Sequence, residues 1–518
     1  MAFGTLQRAK SSSSPRVAII GGGFGGIATA VKLEQAGIPD FVIFEQSEGP
    51  GGTWWDNRYP GCEVDIPSHA YSYSFMRYDW RSTHASREEL QQYAEDVIDK
   101  FGIRSRFRFS TKIDSATWDE AAGHYVVTTD AGEELVFDVV VSCVGLLSIP
   151  RYPDWPGLDD FGGVKFHSAR WESEHDLTGK RVAIVGTGST SAQLVPALAP
   201  VVDRLYVFQR QPGWVMPKGE RPFTESERAR FRRFPILQTL RRASMFYEGN
   251  RRFKAYDATS KAQQELKEIC LTYIKESIDD PEVQKAVTPD YPWGCKRIVF
   301  SSTFYPALNH ERVELVPRAV ERVTETGIVD SDGVEREVDV IVLATGFEPT
   351  NFLGSFDIKG EGGVSIHEVW RGEPSAFLGI TVPGFPNFFM LYGPNTNGGQ
   401  SIIAQLERQA EVAVRAVRRV RRTGRPVDTR PRALERYVRW IDSQILKHAS
   451  AMEAGCTNYY HASTGRNVTQ WPRTHVAYFV ATKILPYVGL VSRRAPRPVT
   501  AGVSERLDEQ PSSPGVAP

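Results

Sequence analysis

Short runs of β-branched residues recur along this chain, and several lead through a glycine-rich turn into a stretch with helical period. The first is Val17 to Ile20, which opens RVAIIGGGFGGIATAVKLEQAG and passes into an amphipathic helical pattern. A second strand follows in DFVIFEQ. The same order returns at KRVAIVGTGSTSAQLVPAL, with RLYVFQRQP as its second strand. Further buried apolar strands are predicted within 138–150 (DVVVSCVGLLSIP), within 339–349 (DVIVLATGFEP) and at the start of 388–399 (FFMLYGPNTNGG), the last leading into a helix over about 401–422. Strands alternating with helices at this spacing predict an α/β fold containing two Rossmann-type units.

Two stretches depart from that pattern. Residues 216–290 are charged and helical, with no glycine signature, and predict an inserted helical unit that either walls a substrate site or serves as a structural cap. Residues 161–171, FGGVKFHSARW, fit neither a good helix nor a good strand. His167 in this segment could be an acid–base catalyst, a metal ligand or part of a joint between domains. It falls between the strand ending near Pro150 and the strand RVAIVG, and no second ligand stands at metal spacing. The better expectation is a connecting segment, with His167 bonding linker backbone, Phe161 and Trp171 packing as anchors and Gly163 supplying a bend. The expected division is a discontinuous first dinucleotide domain (15–150 and 347–491), a second (151–215 and 291–346), the insertion (216–290), and disordered ends (1–14 and 492–518).

Composition narrows the class. With 518 residues, 41% of them hydrophobic, the chain can bury a large core and divide into two or three domains. Lys plus Arg (62) equals Asp plus Glu (62), so no overall field favours nucleic acid or an anionic membrane. The run Arg418, Arg419, Arg421, Arg422 fits a solvated helix face. The five cysteines (Cys62, Cys143, Cys270, Cys295, Cys456) form no CxxC, so neither a disulfide framework nor a zinc site is expected, and a reducing cytoplasm fits. No apolar run reaches the roughly 18 residues that suggest a membrane span. A cytoplasmic monomer or weak homo-oligomer is expected, with no membrane or nucleic-acid partner and no metal.

The glycine turns carry the chemistry. Gly21, Gly23 and Gly26 stand in the GxGxxG positions, where the first allows a tight turn, the second lets backbone approach a pyrophosphate and the third lets helix pack on strand. Phe24 begins the helix whose N-terminus would face the phosphates. Glu45 ends the second strand, 24 residues beyond Gly21, where a carboxylate can accept bonds from ribose hydroxyls. This half therefore reads as a site for FAD or NAD. In the repeat, Gly186, Gly188 and Ser191 hold the three positions, with Thr187, Ser189 and Gln193 in the turn and first helical turn. Arg210 lies 24 residues beyond Gly186, where a guanidinium suits a 2′-phosphate, so this half reads as an NADPH site. One FAD site and one NADPH site in a single chain imply hydride transfer between them.

With both glycine turns in place, 161–171 matches FxGxxxHxxxW, and the chain resembles the type I Baeyer–Villiger monooxygenases. The resemblance runs from Val17 to about Tyr487 and includes GGTWWDNRYPGCEVDIPSHAYSYSF, VFQRQP and YPWGCKRIVFSSTFYPAL. Its spelling is most similar to the branch that includes hydroxyacetophenone monooxygenase. Glu172 departs from the family's usual Pro or Asp, while Trp171 separates the chain from flavin-containing monooxygenases, which usually have Tyr or Phe there.

The resemblance implies a glutathione-reductase-like fold and places the family's active-site arginine on Arg297. It puts an NADPH-phosphate lysine on Lys296, an aspartate that orients the arginine on Asp65, and flavin-lining residues on Gly52, Thr53 and Trp54. Taken alone, Lys296 and Arg297 would be surface charges and Asp65 a turn residue. The helix over 401–422 would point its N-terminus at the flavin pyrimidine, its partial positive charge stabilising the anionic reduced ring. The implied activity is NADPH- and O2-dependent conversion of a small-molecule ketone to an ester or lactone through a C4a-peroxyflavin. Alternatives are an N- or S-oxygenating flavin monooxygenase and a non-catalytic FAD/NADPH redox sensor. A disulfide reductase needs a redox cysteine pair, and the first unit is followed only by Cys62.

Overall fold

The computed structural model describes residues 14–171, 175–398, 401–453, 455–456 and 458–493. The ends expected to be disordered lie outside the described residues apart from Ser14, Ser492 and Arg493, and so does Glu172. Two five-stranded parallel sheets organise the chain, and they share one internal order. In the first, Val17–Ile20 lies between Phe41–Phe44 and Val139–Ser142, with Phe107–Arg108 and Phe388–Met390 at the edges. In the second, Arg181–Val185 lies between Arg204–Phe208 and Val340–Leu343, with Val313–Val316 and Val164–His167 at the edges. The central strands are buried on both faces, which is why they read as unbroken apolar runs. The architecture is α/β, with two Rossmann-type sheets and a helical region.

Helices pack where the periodicity places them. Phe24–Gln35 lies against Ile402–Thr423, whose last turn carries the basic run; there Arg418, Arg421 and Arg422 are exposed and favour the helix's negative end. The insertion forms the helices Glu225–Arg233, Ile236–Arg252, Lys261–Ser277 and Pro281–Val287. The Thr224 hydroxyl and the Glu227 carboxylate start the first of these with a reciprocal capping box.

The segment 161–171 differs from its expectation. Val164–His167 is a strand, paired in parallel with Val340–Leu343, so it is the edge of the second sheet rather than a loose connection. Gly163 gives close approach rather than a bend, since a Cβ there would sit 2.5 Å from the Asp339 carbonyl and 2.6 Å from the Phe161 ring. Phe161 is buried with Ala183, Val185 and Ile341, and Trp171 meets Phe166 edge-on at 5.0 Å. The expected bond from His167 to linker backbone is present. Nδ1 accepts from the Ala169 N–H at 3.1 Å, so Nε2 carries the proton and donates to the Gly346 carbonyl at 3.0 Å. Burial lowers the pKa of the ring, which favours this neutral form.

Gly346 belongs to the return linker between the sheets. There the Arg151 N–H donates to the Gly346 carbonyl at 2.9 Å and the Glu348 N–H to the Ile149 carbonyl at 3.0 Å, so outgoing and returning linkers cross as an antiparallel pair. The cysteine expectation is also corrected: Cys295 and Cys456, 161 residues apart, are joined by a disulfide, whereas Cys62, Cys143 and Cys270 are free and buried. A pairing across that separation leaves no spacing signal in the sequence.

Candidate functional site

A cavity of about 740 Å³ opens between the two sheets, within the size range of small-molecule and cofactor sites. Two helix N-termini face it. Phe24–Gln35 begins at Gly23 and Ser189–Leu198 at Gly188, neither with a side-chain cap, so their first N–H groups remain free for a ligand. The glycines divide the work as their positions require. Gly21 has φ +104, and a Cβ on it would lie 2.6 Å from the Cys143 carbonyl; a Cβ on Gly26 would lie 2.0 Å from the Gly21 carbonyl. A Cβ on Gly188 would meet nothing within 4 Å, so that backbone is open to a ligand.

Glu45 lines the cavity and closes the first turn from below. Its two carboxylate oxygens accept the Gly22 N–H at 2.6 Å and the Ser47 N–H at 2.8 Å, leaving acceptor capacity for hydroxyls. Burial raises its pKa, opposed by those two backbone bonds. Gly52, Thr53 and Trp54 come to the same cavity by the turn at Gly52, which has φ +56. These features fit a dinucleotide: uncapped helix starts for a pyrophosphate, an open glycine backbone and a carboxylate just past the end of the neighbouring strand.

Arg297 and Asp65 meet across the cavity wall. Arg297 Nη2 donates to Asp65 Oδ2 at 3.2 Å, and Ser189 Oγ lies 3.5 Å from the same oxygen. Asp65 is nearly buried, with 8% of its side chain accessible, whereas Arg297 retains 46% and lines the cavity. Enclosure by protein works against the guanidinium charge, but Tyr459, Asp65 and Tyr392 outweigh it and hold the Arg297 pKa above its ordinary value. Gln193 also lines the cavity but is committed to the neighbouring loop. Its Oε1 accepts from Tyr59 Oη at 2.9 Å and its Nε2 donates to the Glu63 carbonyl at 2.9 Å.

Other expected residues lie away from this wall. Gly26 packs inside the first unit, and Gly186, Thr187, Arg210 and Lys296 are outside the cavity lining. Lys296 donates through Nζ to Gln211 Oε1. Its pKa is lowered by burial first and by neighbouring Arg210 second, which puts two cations close together where an anion would relieve them.

Sequence reasoning missed a ring of tyrosines about Arg297. The Tyr459 phenol is within hydrogen-bonding reach of Arg297 and Asn397, and Tyr392 Oη donates to Asn397 Oδ1 at 2.8 Å. Tyr71 and Tyr256 complete the cavity wall. Tyr459 is delivered by the loop that the disulfide fastens, where Asn458 Nδ2 donates to the Cys295 carbonyl at 3.0 Å. The pair of tyrosines in TNYYHASTG was the available signal, but no periodicity ties it to the site.

Residues 14–224 match the family described as flavin-binding monooxygenase-like. The chain is 39% identical over 498 residues to a Baeyer–Villiger monooxygenase of Streptomyces coelicolor, covering 95% of both proteins. It belongs to the Baeyer–Villiger monooxygenase family. Among solved structures, this family member resembles cyclohexanone monooxygenase from Rhodococcus sp. Phi1 bound to NADP+, with TM-score 0.83 and 31% identity over 94% of this chain and 100% of that one. It also resembles OTEMO in complex with FAD and NADP, with TM-score 0.82 and 28% identity over 93% and 100% of the two chains. As in other Baeyer–Villiger monooxygenases, the expected chemistry is flavin-dependent oxygenation of ketones.

Proposed function

We propose that this chain converts ketones to esters or lactones with FAD and NADPH, using Arg297 as the catalytic cation and Asp65 to position it. The overall balance is ketone, O2, NADPH and H+ giving ester, water and NADP+. When bound, NADPH supplies the hydride and FAD the means to activate dioxygen. The chain's own residues bind, orient and stabilise charge. Gly21, Gly23, Gly26, Phe24 and Glu45 would hold FAD with Gly52, Thr53 and Trp54. Gly186, Thr187, Gly188, Ser189 and Gln193 would hold NADPH, with Arg210 and Lys296 at its 2′-phosphate. Residues 15–150 with 347–491 would form the FAD domain and 151–215 with 291–346 the NADPH domain, supported by one five-stranded sheet lying in each pair of segments.

The observation that carries the reading is the Arg297–Asp65 pair on the cavity wall. As carbonyl addition and rearrangement proceed, negative charge gathers on the former carbonyl oxygen. A guanidinium that stays protonated and offers several fixed donors suits that position. Asp65, held between Ser189 and Arg297, fixes the direction of those donors without itself moving a substrate proton. Loss of one such donor typically costs about 2.7–4 kcal/mol of barrier, or roughly 100- to 1000-fold in rate. Arg297→Ala should let NADPH bleach the flavin while ester formation falls by that factor. Full ester formation by the variant would remove Arg297 from the mechanism.

The finer assignment to the hydroxyacetophenone monooxygenase branch belongs to the same proposal, and the tyrosine-lined wall supports it because aromatic rings suit an aryl ketone. A panel of aryl methyl ketones, cyclic aliphatic ketones and sulfides tests it. Preferred turnover of the cyclic ketones would move the chain to another branch, and exclusive oxidation of sulfides would favour heteroatom oxygenation.

A further inference from the structure

The helix His475–Gly489 is apolar on both faces. Its inner face places Tyr478 and Thr482 against Ile402–Thr423, each at most 1% accessible. Its outer face exposes Val476, Phe479, Val480, Ile484, Tyr487 and Val488, with Tyr487 at 77% and Val488 at 65% accessible. Lys483 is the one charged residue of this helix. A helix apolar all round is ordinarily buried, and contiguous exposed apolar faces mark interaction surfaces. The face continues onto the insertion. Phe246 stacks on His475 at 4.8 Å, and its helix, Ile236–Arg252, exposes Ile236, Leu240 and Tyr247.

Charge identifies the partner. The neighbouring helix Pro431–His448, joined through Trp440 and Trp471, exposes Arg432, Arg436, Arg439 and Lys447 against Glu435. The insertion adds exposed Arg251 and Arg252 beside Tyr247, against one exposed carboxylate, Glu248. Among the described residues, none of these six cations is in a salt bridge. A second copy docking by a two-fold axis would bring basic rim against basic rim. We infer that this face docks on an anionic phospholipid bilayer, with the apolar helix lying in the interface and the surrounding Arg and Lys side chains at the headgroups. No described helix is long and apolar enough to cross the membrane, so the contact is peripheral. It departs from the expectation of no membrane partner, because that expectation rested on net charge and span length, neither of which registers a local face. The inference stands apart from the catalytic assignment.

Sedimentation of the full-length holoprotein with vesicles tests it. Vesicles of phosphatidylcholine and phosphatidylglycerol in equal parts should pellet the protein at about 0.1 M salt, and pure phosphatidylcholine vesicles at least about ten-fold less. Ile484→Glu with Tyr487→Glu should abolish pelleting while leaving ketone turnover in vesicle-free solution unchanged, since both side chains are exposed and outside the cavity. Absence of pelleting with phosphatidylglycerol overturns the inference, as does equal pelleting with both vesicle types. A dimer that the double substitution splits, without vesicle binding, would assign the face to a second copy. Pelleting only after truncation following Arg493 would assign it to residues 494–518.

Discussion

Arg210 stands close enough to Lys296 to weigh on its charge. Burial and the Arg210 guanidinium both press Lys296 towards its neutral form, and nearby Asp290 only partly opposes them. In the proposed assignment, a bound 2′-phosphate would reverse that balance by giving both cations one dianion to share. Hydrogen bonds to charged groups contribute about 1.5–3 kcal/mol each, so Arg210→Ala should raise the KM for NADPH by roughly 10- to 100-fold. Turnover at saturating NADPH should change less, and the KM for NADH should stay the same. An unchanged preference for NADPH over NADH, measured by steady-state kinetics, would count against the 2′-phosphate assignment. Glu45 was legible because it directly follows the second strand of its unit and lines the cavity, whereas the strand register puts Gln209 in the matching place of the second unit, with Arg210 one residue further along. Tyr459 was not legible, because it reaches Arg297 from a loop with no repeat and no fixed distance from either glycine turn.

Elements with a strong apolar period were legible before the fold was seen, and those made by tertiary contact were not. The helix expected over 401–422 is found at Ile402–Thr423, and both glycine turns sit between the expected strand and helix. Val164–His167 escaped because four residues carrying one lysine and one histidine give too short an alternation; pairing with Val340–Leu343 makes the strand. The Cys295–Cys456 bond escaped for the same reason, being set by folding across 161 residues. His167 ties its strand to the crossed linkers through the Gly346 carbonyl, which it shares with the Arg151 N–H. The Arg151 N–H still donates to that carbonyl, so removing the His167 donor costs one hydrogen bond, about 0.5–1.5 kcal/mol. His167→Ala should keep both nucleotides bound and leave the KM for NADPH unchanged. It should yield less ester and more hydrogen peroxide per NADPH consumed, whereas His167→Gln, which retains an N–H donor, should restore part of the coupling. Loss of one proton-donor pKa from the rate profile, with coupling intact, would instead make His167 an acid catalyst.

At the scale of the molecule, two buried histidines and one half-buried one share a boundary. His69, His84 and His475 each have a pKa lowered to about 4, by burial first and then by neighbouring cations. Most of those cations belong to the insertion: Arg241 and Arg242 beside His69, Lys218 beside His84 against Glu220, and Arg242 beside His475, where Arg408 of Ile402–Thr423 acts with it and Glu407 against it. The His69 ring meets Phe223 and Phe231, and the His475 ring meets Phe246, all from the same unit. Because the folded pKa values lie below the unfolded value of 6.5, the unfolded chain binds more protons between about pH 6.5 and pH 4. The stabilisation is therefore complete above pH 6.5 and is lost on acidification through that window, by up to about 3 kcal/mol per histidine. Glu45, Asp56 and Glu63, whose pKa values are raised chiefly by burial, act with the opposite sign and offset part of the loss. The offset is not local to the insertion helix, whereas protonated His69 and His475 would repel Arg241 and Arg242 directly. Protection of amides in the holoprotein, taken relative to their intrinsic exchange rate at each pH, should therefore fall in Ile236–Arg252 between pH 6.5 and pH 5 before it does in either parallel sheet, and His69→Gln together with His475→Gln should suppress that early phase. Simultaneous loss of protection in the insertion and the sheets would show that acid acts on the whole fold rather than at this boundary.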